Sequence, residues 1–194
     1  MYTLNFIIYS VITLILLIEI FLFVYLYEYY KCIYIYDQVP FVPTSKITQK
    51  AIVREIKNEY PGTKLICEIG SGYGNMARFI GRKTKANVIA LENMQISALL
   101  SKFADLFQTK SKTIKCDAFD YLDKTKEHFD IAIAYLSPDA ITKLLRYKNK
   151  INTLITIDFA IDNIYPTKTI NIGHGFTHYK HKKYPHKIFI YNLK

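Results

Sequence analysis

The sequence contains little cysteine, and what it has is dispersed. Cys32, Cys67 and Cys116 are the three cysteines among 194 residues, and no CxxC pair occurs. This spacing excludes a disulfide framework and a cysteine-based zinc site. Cys67 lies in an apolar strand pattern, so we expect a small buried hydrophobic residue there. Three unpaired thiols are consistent with a reducing compartment.

Acidic residues are also scarce. The chain has 16 Asp and Glu residues against 26 Lys and Arg, which gives a formal net charge of +10 at pH 7. Such an excess favours anionic partners, among them nucleic acid, an anionic membrane surface and acidic proteins.

The first part of the chain almost lacks charge. Between Phe6 and Tyr27 the only charged side chain is Glu19, and roughly 20 apolar residues cross a bilayer as a helix. A basic start and a small-residue cleavage site are both absent, which argues against a secretory signal peptide. A buried amphipathic helix is the alternative, but the segment lacks a polar face. We predict that residues 1–30 form a single-pass transmembrane anchor.

The end of this segment predicts its orientation. Lys31 follows a run of tyrosines suited to an interfacial aromatic belt, namely Tyr25, Tyr27, Tyr29 and Tyr30. The positively charged side is therefore the C-terminal one, and we expect the rest of the chain on the cytoplasmic or matrix side. Glu19 has either a functional or helix-pairing role, or is a protonated side chain tolerated in a single span. With an anchor in place, a headgroup-facing surface is the first explanation of the net charge and nucleic acid the second.

Two of the few prolines lie close together after the apolar segment. Pro40 and Pro43 bias their predecessors to extended geometry, so we predict a linker or arm over residues 31–46 that lies along a surface. Either Thr44 or Ser45 can cap the helix that follows.

Glycine is rare, yet three of the seven glycines fall within one short segment. Gly70, Gly72 and Gly74 follow an apolar strand pattern and precede a helical one. Glu92 comes roughly 20 residues later, at the end of the next strand pattern, which is the layout of a nucleoside-binding βαβ unit. In such a unit the glycines let the backbone approach the ligand, and the acid holds the ribose hydroxyls. The pattern predicts a nucleoside cofactor.

Apolar periodicity predicts alternating strands and helices along the rest of the chain. The predicted helices cover residues 46–59, 76–84 and 141–147, and the predicted strands cover 64–69, 87–91, 112–115, 129–136, 153–159, 169–172 and 186–193.

The spacing of the glycines separates two cofactor classes. Dinucleotide folds use G-x-G-x-x-G, whereas E-x-G-x-G-x-G runs here from Glu68 to Gly74. This pattern resembles motif I of the class I methyltransferases, whose cofactor is S-adenosylmethionine. The resemblance implies an α/β fold: a doubly wound, Rossmann-like seven-strand methyltransferase sheet with a C-terminal antiparallel hairpin, preceded by one N-terminal transmembrane helix. The implied methyltransferase domain covers residues 47–194.

The same resemblance implies the cofactor contacts. In that family the first acid organises the loop around the amino-acid end of the cofactor, and the acid after the second strand binds the ribose. An acid after the third strand lies near the adenine amine. The implied cofactor-binding residues are Glu68, Gly70, Ser71, Gly72, Gly74, Glu92, Asn93, Asp117, Ala118 and Thr44.

The methyl acceptor is expected where the fourth strand ends, because ligands of open α/β sheets lie beyond the carboxyl ends of the strands. Tyr135, Ser137 and Pro138 are the candidate catalytic or acceptor-pocket residues, together with Leu136. Ser137 and Asp139 are equally well explained as helix caps. Nucleobase amino-methyltransferases usually carry Asn/Asp-Pro-Pro-aromatic here, so the Leu-Ser-Pro-Asp of this chain counts against adenine N6 chemistry.

A closer resemblance concerns the apolar N-terminal segment, the Val-Pro-Phe-Val-Pro-Thr arm at Val39–Thr44 and the glycine loop. Together they look like the small membrane-associated protein-lysine methyltransferases, which include the enzymes acting on the ATP synthase c-subunit and the adenine nucleotide translocase. The resemblance implies a protein lysine as acceptor and an arm that closes over the cofactor, with Phe41 at the lysine channel. Family members carry Asp-x-Gly-x-Gly-Asp-Gly-Arg where this chain has Glu68, Tyr73 and Asn75, which weakens the substrate inference.

A lysine acceptor needs a neutral amine, and the free pKa of lysine is about 10.4. Burial in an apolar, aromatic pocket beside the cationic sulfonium favours the neutral amine without a dedicated base. Tyr135 and Phe41 are the expected walls, and no histidine stands out in the sequence as a general base.

Three other functions stay open at this point. One is a methyltransferase of a lipid-soluble small molecule, which would use the same anchor but needs a wider apolar pocket, and no inserted segment between strands five and six provides one. RNA methylation is supported only by net charge, and a non-catalytic membrane-bound binding module is the third alternative. His174, His178 and His181 lie among lysines without a Cys, Asp or Glu, so we expect a solvated basic patch and no metal site.

Overall fold

The structure, a computed structural model, describes residues 2–34, 42–107, 110–174 and 185–194, and it divides into two units, Met1–Pro40 and Phe41–Lys194. The first unit contains one helix, α1 (Tyr2–Tyr34). Among the described residues, its segment Asn5–Lys31 alone is long and apolar enough to cross a membrane, with a mean hydropathy of 2.8. That statement rests on length and composition, a criterion that an N-terminal signal sequence also meets.

The second unit is built on one seven-stranded sheet. Its strands are β1 (Leu65–Ile69), β2 (Asn87–Glu92), β3 (Ser111–Lys115), β4 (Phe129–Ala134), β5 (Ile151–Ile157), β6 (Lys168–His174) and β7 (Pro185–Asn192). The order across the sheet is β3-β2-β1-β4-β5-β7-β6. β1 to β5 run parallel, and β7 lies antiparallel between β5 and β6. The predicted fold class, including its closing antiparallel hairpin, is confirmed.

Five helices and one short turn connect the strands. They are α2 (Lys46–Glu59), α3 (Asn75–Lys83), α4 (Gln95–Asp105), α5 (Ala118–Lys124), α6 (Pro138–Lys143) and a 3₁₀ turn, Leu144–Tyr147. Ser45 caps α2, because its side chain accepts from the Thr48 N–H at 3.1 Å. The predicted helix over 141–147 is instead α6 followed by the 3₁₀ turn.

The sheet is covered on both faces, which explains why β1, β4 and β5 are largely apolar runs. One buried cluster joins α2 and α3 to the sheet through residues such as Ile52, Ile80 and Ile66. The other lies against α5 and α6 and includes Leu122 and Cys67. Adjacent residues of β1 therefore point to opposite faces, and the expectation that Cys67 is buried is confirmed, since it is 0 % exposed.

The carboxyl ends of the parallel strands meet at one edge of this sheet. The glycine segment follows β1 there, and Glu92 ends β2. β7 runs in the opposite direction, so its first residues lie at this same edge. The topology thus gathers residues from six strands, β1 to β5 and β7, where the sequence predicts the site.

Candidate cofactor and acceptor site

The turn between β1 and α3 takes its shape from three glycines. Gly70, Gly72 and Gly74 have φ angles of +72°, +55° and +68°, in the left-handed region that other L-residues rarely adopt. The backbone N–H groups of Gly70 and Ser71 both donate to the Leu91 carbonyl oxygen at 3.0 Å. The turn is therefore joined to the end of β2.

Two of these glycines also leave no space for a side chain. A Cβ on Gly74 would lie 2.1 Å from Ser101 Oγ and 2.9 Å from Arg78 Nη1, and one on Gly70 would lie 2.8 Å from Leu136 Cδ2. Such distances are steric overlaps, which a close-packed interior does not tolerate. The turn thus packs against α4 on one side and against the residue that follows β4 on the other.

Glu68 places a carboxyl group beneath the turn. Its side chain is buried, and burial raises its pKa to about 8, against the opposing effects of a backbone hydrogen bond from Ala77 and the charge of Arg78. Glu68 Oε2 and Ser71 Oγ are buried without a hydrogen-bond partner among the described residues. Because buried polar atoms are normally paired, these two atoms fit the polar amino-acid end of S-adenosylmethionine.

Glu92 connects β2 to the same turn. Its Oε2 accepts from the Gly72 N–H at 2.6 Å and its Oε1 from the Met94 N–H at 2.7 Å. Burial raises the pKa of this carboxyl group, although these backbone hydrogen bonds act in the opposite direction. A carboxylate oxygen has two lone pairs, so each oxygen can accept one further hydrogen bond from a ligand hydroxyl.

Three predicted cofactor-binding residues, among them Asp117, which is expected near the adenine amine, lie at the ends of β2 and β3. Asn93 Oδ1 accepts from Lys115 Nζ at 3.4 Å. Asp117 caps α5, with Oδ1 accepting from the N–H groups of Phe119 and Asp120 at 2.8 and 3.1 Å. Ala118 begins that helix. Both capping bonds use one oxygen, which leaves Asp117 Oδ2 for a ligand.

Arg78 is a site residue that the sequence analysis missed. It is 9 % exposed and donates to the Tyr73 carbonyl oxygen and to Asn75 Oδ1 at 3.0 Å. It also donates to the Ser101 carbonyl oxygen at 3.3 Å and lies 3.5 Å from Asp105 Oδ1. The guanidinium therefore fixes the second half of the glycine turn to α4.

Asp105 extends this network to the edge of the sheet. Its Oδ2 accepts from the N–H and the hydroxyl of Thr113 at 2.7 and 2.6 Å, and its Oδ1 accepts from Ser111 Oγ at 2.8 Å. α4 and β3 are thereby held together by charge-assisted hydrogen bonds, the stronger kind.

On the acceptor side, Tyr135 comes directly after β4, which ends at Ala134, two residues before the predicted end of that strand. Its hydroxyl donates to Asp158 Oδ2 at 2.7 Å, and its ring lies 6.4 Å from that of Phe159, centroid to centroid. Burial, followed by the hydrogen bond to Asp158, raises the pKa of the Tyr135 phenol. Asp158 also contacts His186, with Nδ1 at 2.8 Å from Oδ2. The sequence analysis found no general-base histidine, and the structure brings this one to the predicted acceptor edge.

Ser137 and Pro138 are the other predicted acceptor residues. Ser137 has the backbone conformation of an N-cap, but its side chain makes no capping hydrogen bond, and Pro138 begins α6. The helix-cap interpretation therefore applies to the Ser137 backbone, and its half-buried side chain stays a candidate for the acceptor pocket.

Some predicted residues are not tested at the site. Phe41 and residues 35–40 of the arm lie outside the described residues, as do His178 and His181. The Thr44 carbonyl oxygen accepts from Gln49 Nε2 at 2.9 Å, which places Thr44 at the start of α2 without testing a cofactor contact. Within the described ranges, no three His, Cys, Asp or Glu side chains cluster as metal ligands.

No protein-family model matches the chain, and no curated protein does either. Solved structures do match. The RNA methyltransferase from Salinibacter ruber in complex with S-adenosyl-L-homocysteine shares 15% sequence identity, with a TM-score of 0.60, over 78% of this chain and 94% of that chain.

Two further solved structures are similar to this chain over nearly the whole of their own length. Precorrin-6y C5,15-methyltransferase from Geobacter metallireducens has a TM-score of 0.58 at 11% identity, over 78% of this chain and 92% of that chain. The precorrin 8w decarboxylase from Methanobacterium thermoautotrophicum also has a TM-score of 0.58, at 16% identity, over 79% of this chain and 93% of that chain. Together with the strand order, these similarities establish that residues beyond the N-terminal helix have the seven-stranded fold of the class I, S-adenosylmethionine-dependent methyltransferases.

Proposed function

We propose that this chain transfers a methyl group from S-adenosylmethionine. The proposal rests on the two carboxyl groups at the glycine turn. Glu92 Oε2 accepts a hydrogen bond from the Gly72 N–H at 2.6 Å. The buried Glu68 Oε2, beneath the same turn, has no hydrogen-bond partner among the described residues. A ribose hydroxyl donates to the first carboxylate, and the cofactor's ammonium group donates to the second. Asn93, Asp117 and Ala118 form the adenine end of the site.

We further propose a protein lysine as the methyl acceptor. Tyr135 and Phe159 form an aromatic pair at the carboxyl edge of β4 and β5, the position expected for the acceptor. β5 and β6 are connected by the short segment 158–167, which favours an extended chain entering the site over a bulky ring system held by inserted helices. The resemblance of the arm and glycine loop to membrane-associated protein-lysine methyltransferases supports the same acceptor.

We place the reaction at a membrane, with α1 as a single-pass anchor and the second unit on the cytoplasmic or matrix side. The apolar segment Asn5–Lys31 supports this. Washing membranes that contain the full chain with alkaline carbonate tests it, because integral proteins stay in the membrane. Release of the chain into the supernatant contradicts the anchor.

RNA methylation is the second candidate, and one observation favours it. A groove of about 510 Å³ between α2 and α3 is lined by Phe79 and by four cations, Lys50, Arg54, Lys57 and Lys83. Cations beside an aromatic ring are typical of surfaces that hold single-stranded nucleic acid. The digestion experiment below distinguishes this acceptor from lysine.

Calorimetric titration of the full chain in detergent micelles with S-adenosylhomocysteine tests the cofactor. We expect micromolar binding, and a folded protein that fails to bind contradicts the proposal. Transfer of labelled methyl to membrane fractions then identifies the acceptor class. Label released by protease and recovered as N-methyl-lysine supports the lysine acceptor, whereas label released by ribonuclease or extracted with lipid overturns it.

A further inference from the structure

The Asp158 carboxylate is the centre of a hydrogen-bonded cluster that the cofactor site does not use. It accepts from the Tyr135 hydroxyl at 2.7 Å and from the Lys187 N–H at 3.2 Å. His186 Nδ1 lies 2.9 Å from Oδ1 and 2.8 Å from Oδ2. Tyr135 follows β4, Asp158 follows β5 and His186 begins β7, so the cluster lies at the sheet edge where a methyl acceptor enters.

The backbone holds this cluster in place. Asp158 has a φ of +64°, a conformation that costs an ordinary residue energy and that aspartate tolerates better than most. Its N–H donates to the Lys187 carbonyl oxygen at 2.8 Å, while the Lys187 N–H donates to its side chain. Asp158 is thereby clamped to the start of β7, beside His186.

The cluster determines which histidine nitrogen carries a proton. An ionised carboxylate only accepts hydrogen bonds, so Nδ1 is the nitrogen that donates, and in the neutral imidazole Nε2 keeps its lone pair. Tyr135 is itself a donor to Asp158, so it cannot take up a proton from a substrate. The His186 and Asp158 side chains are 15 % and 16 % exposed, which shields them from bulk water but leaves them reachable.

We propose that His186 is the general base of the methyl transfer, with Asp158 and Tyr135 as its positioning residues, and that the acceptor is a group that must lose a proton, such as a lysine ammonium. This inference rests on the proposed function and adds a base to it. His186 Nε2 takes one N–H proton from the acceptor, whose freed lone pair attacks the methyl carbon. The carbon–sulfur bond breaks, and its electron pair goes to sulfur. The proton remains on the imidazolium beside Asp158.

A base at this position would allow the enzyme to use an acceptor that is protonated at neutral pH. A lysine with a pKa of about 10.4 is almost wholly protonated at pH 7, and its ammonium has no lone pair for the displacement. The negative charge of Asp158 stabilises the imidazolium that forms. Among the described residues, Asp158 is the ionisable group in contact with this imidazole. Tyr135 is hydrogen-bonded to Asp158 in turn.

The test replaces His186 in the full chain and measures cofactor affinity and turnover separately. We expect His186→Gln to bind S-adenosylhomocysteine with the affinity of the unmodified protein. We expect it to transfer labelled methyl to the membrane fraction about 10² to 10⁴-fold more slowly. His128→Gln is the matched control, because His128 is exposed and precedes β4 at the opposite edge. A loss of under about threefold in His186→Gln overturns the proposal.

Nitrogen-15 spectra of histidine-labelled protein test the same inference without an acceptor. We expect the neutral His186 ring to carry its proton on Nδ1, and Asp158→Asn, which tolerates the backbone conformation, to shift the proton toward Nε2. A ring protonated mainly on Nε2 in the unmodified protein contradicts the role of His186. Failure to bind S-adenosylhomocysteine contradicts the proposed function instead, so the two failures are distinguishable.

Discussion

Glu92 Oε2 accepts a 2.6 Å hydrogen bond from the backbone N–H of Gly72, which joins the acid at the end of β2 to the middle of the glycine turn. A side chain from the neighbouring strand thus supports the turn, and the same carboxylate is the one proposed to accept from the ribose.

Glu92→Gln should lower the affinity for S-adenosylhomocysteine about 10- to 100-fold. An amide has one acceptor oxygen where the carboxylate has two, and a hydrogen bond to a charged group contributes about 1.5–3 kcal/mol. Calorimetric titration measures the change. Glu127→Gln is the control, because Glu127 is exposed on the connection before β4. Equal affinities for both variants would contradict the assignment of Glu92 to the ribose.

Glu68 should make the cofactor-free protein less stable as pH rises. Its pKa is about 8 in the folded chain against an ordinary 4.5, so between these values the folded state holds a proton that the unfolded state releases. Stability therefore falls from about pH 4.5 to pH 8. Glu68→Gln lacks this titration, so we expect its melting temperature relative to the unmodified chain to rise across that window. A difference that stays constant with pH contradicts the burial of an ionisable Glu68.

Cofactor binding should release a proton from Glu68 at neutral pH. The ammonium group of S-adenosylhomocysteine favours the ionised carboxylate, whereas the free protein holds it largely protonated at pH 7. The apparent binding enthalpy should then differ between phosphate and Tris buffers, whose ionisation enthalpies differ. In Glu68→Gln that difference should vanish. Equal enthalpies in both buffers for the unmodified chain would place the ammonium group elsewhere.

Gly74→Ala should destabilise the fold strongly, whereas Gly62→Ala should not. At Gly74 a Cβ would lie 2.1 Å from Ser101 Oγ, on a backbone with φ of +68°, but at Gly62 a Cβ meets nothing within 4 Å. The left-handed conformation costs an L-residue about 1–2 kcal/mol, and the overlap adds about 1–3 kcal/mol. We expect the melting temperature of Gly74→Ala to fall by roughly 5–15 °C. Similar melting temperatures for the two variants would contradict the packing of the turn against α4.

Arg78→Leu should reduce both stability and cofactor affinity. The change leaves the buried Asp105 carboxylate without its cation and the Tyr73 carbonyl oxygen without its donor, and breaking a buried ion pair costs about 3–5 kcal/mol. Chemical denaturation and titration with S-adenosylhomocysteine measure the two effects. Arg82→Leu, on the exposed side of the same helix, controls for the loss of charge. Matching losses in both variants would mean that the network does not hold the turn.

The sheet was predictable from sequence because its strands are buried on both faces. Their apolar runs, such as the one that ends at Glu92, stand out against polar surroundings. The boundary of β5 was less accurate. The prediction ended that strand at residue 159, but Asp158 adopts a left-handed backbone conformation and turns the chain after Ile157. A single residue's backbone conformation leaves no pattern in a sequence.

α4 was not predicted from the sequence, for a different reason. Its buried face is formed by Ile96, Ser97, Ala98 and Ser101, which are mostly small or polar. Its large apolar residues are on the outside: Phe103 is 64 % exposed and Leu99 is 59 % exposed. Periodicity detects a helix by its apolar stripe, and here that stripe does not face the core.

The residues missed at the site share another property. Arg78 contacts Ser101, and Asp158 contacts His186, across separations of 23 and 28 residues. The glycine turn and Glu92 belong to one local unit, whose spacing is recognisable in the sequence. Partners that only the strand order brings together carry no such spacing, so His186 could not be distinguished from the other histidines before the topology was known.

The position of β7 between β5 and β6 also bears on the order in which contacts form during synthesis. The strand follows the other six in the chain, yet it lies between β5 and β6, and nascent chains emerge at about 5–20 residues per second. The hydrogen bonds of the glycine turn, Glu92 and Arg78 all lie within residues 68–117, so they can form on the ribosome while β7 is still unmade. The Asp158–His186 contact forms only once β7 has been made, so during synthesis the contacts of the proposed cofactor site precede those of the proposed base.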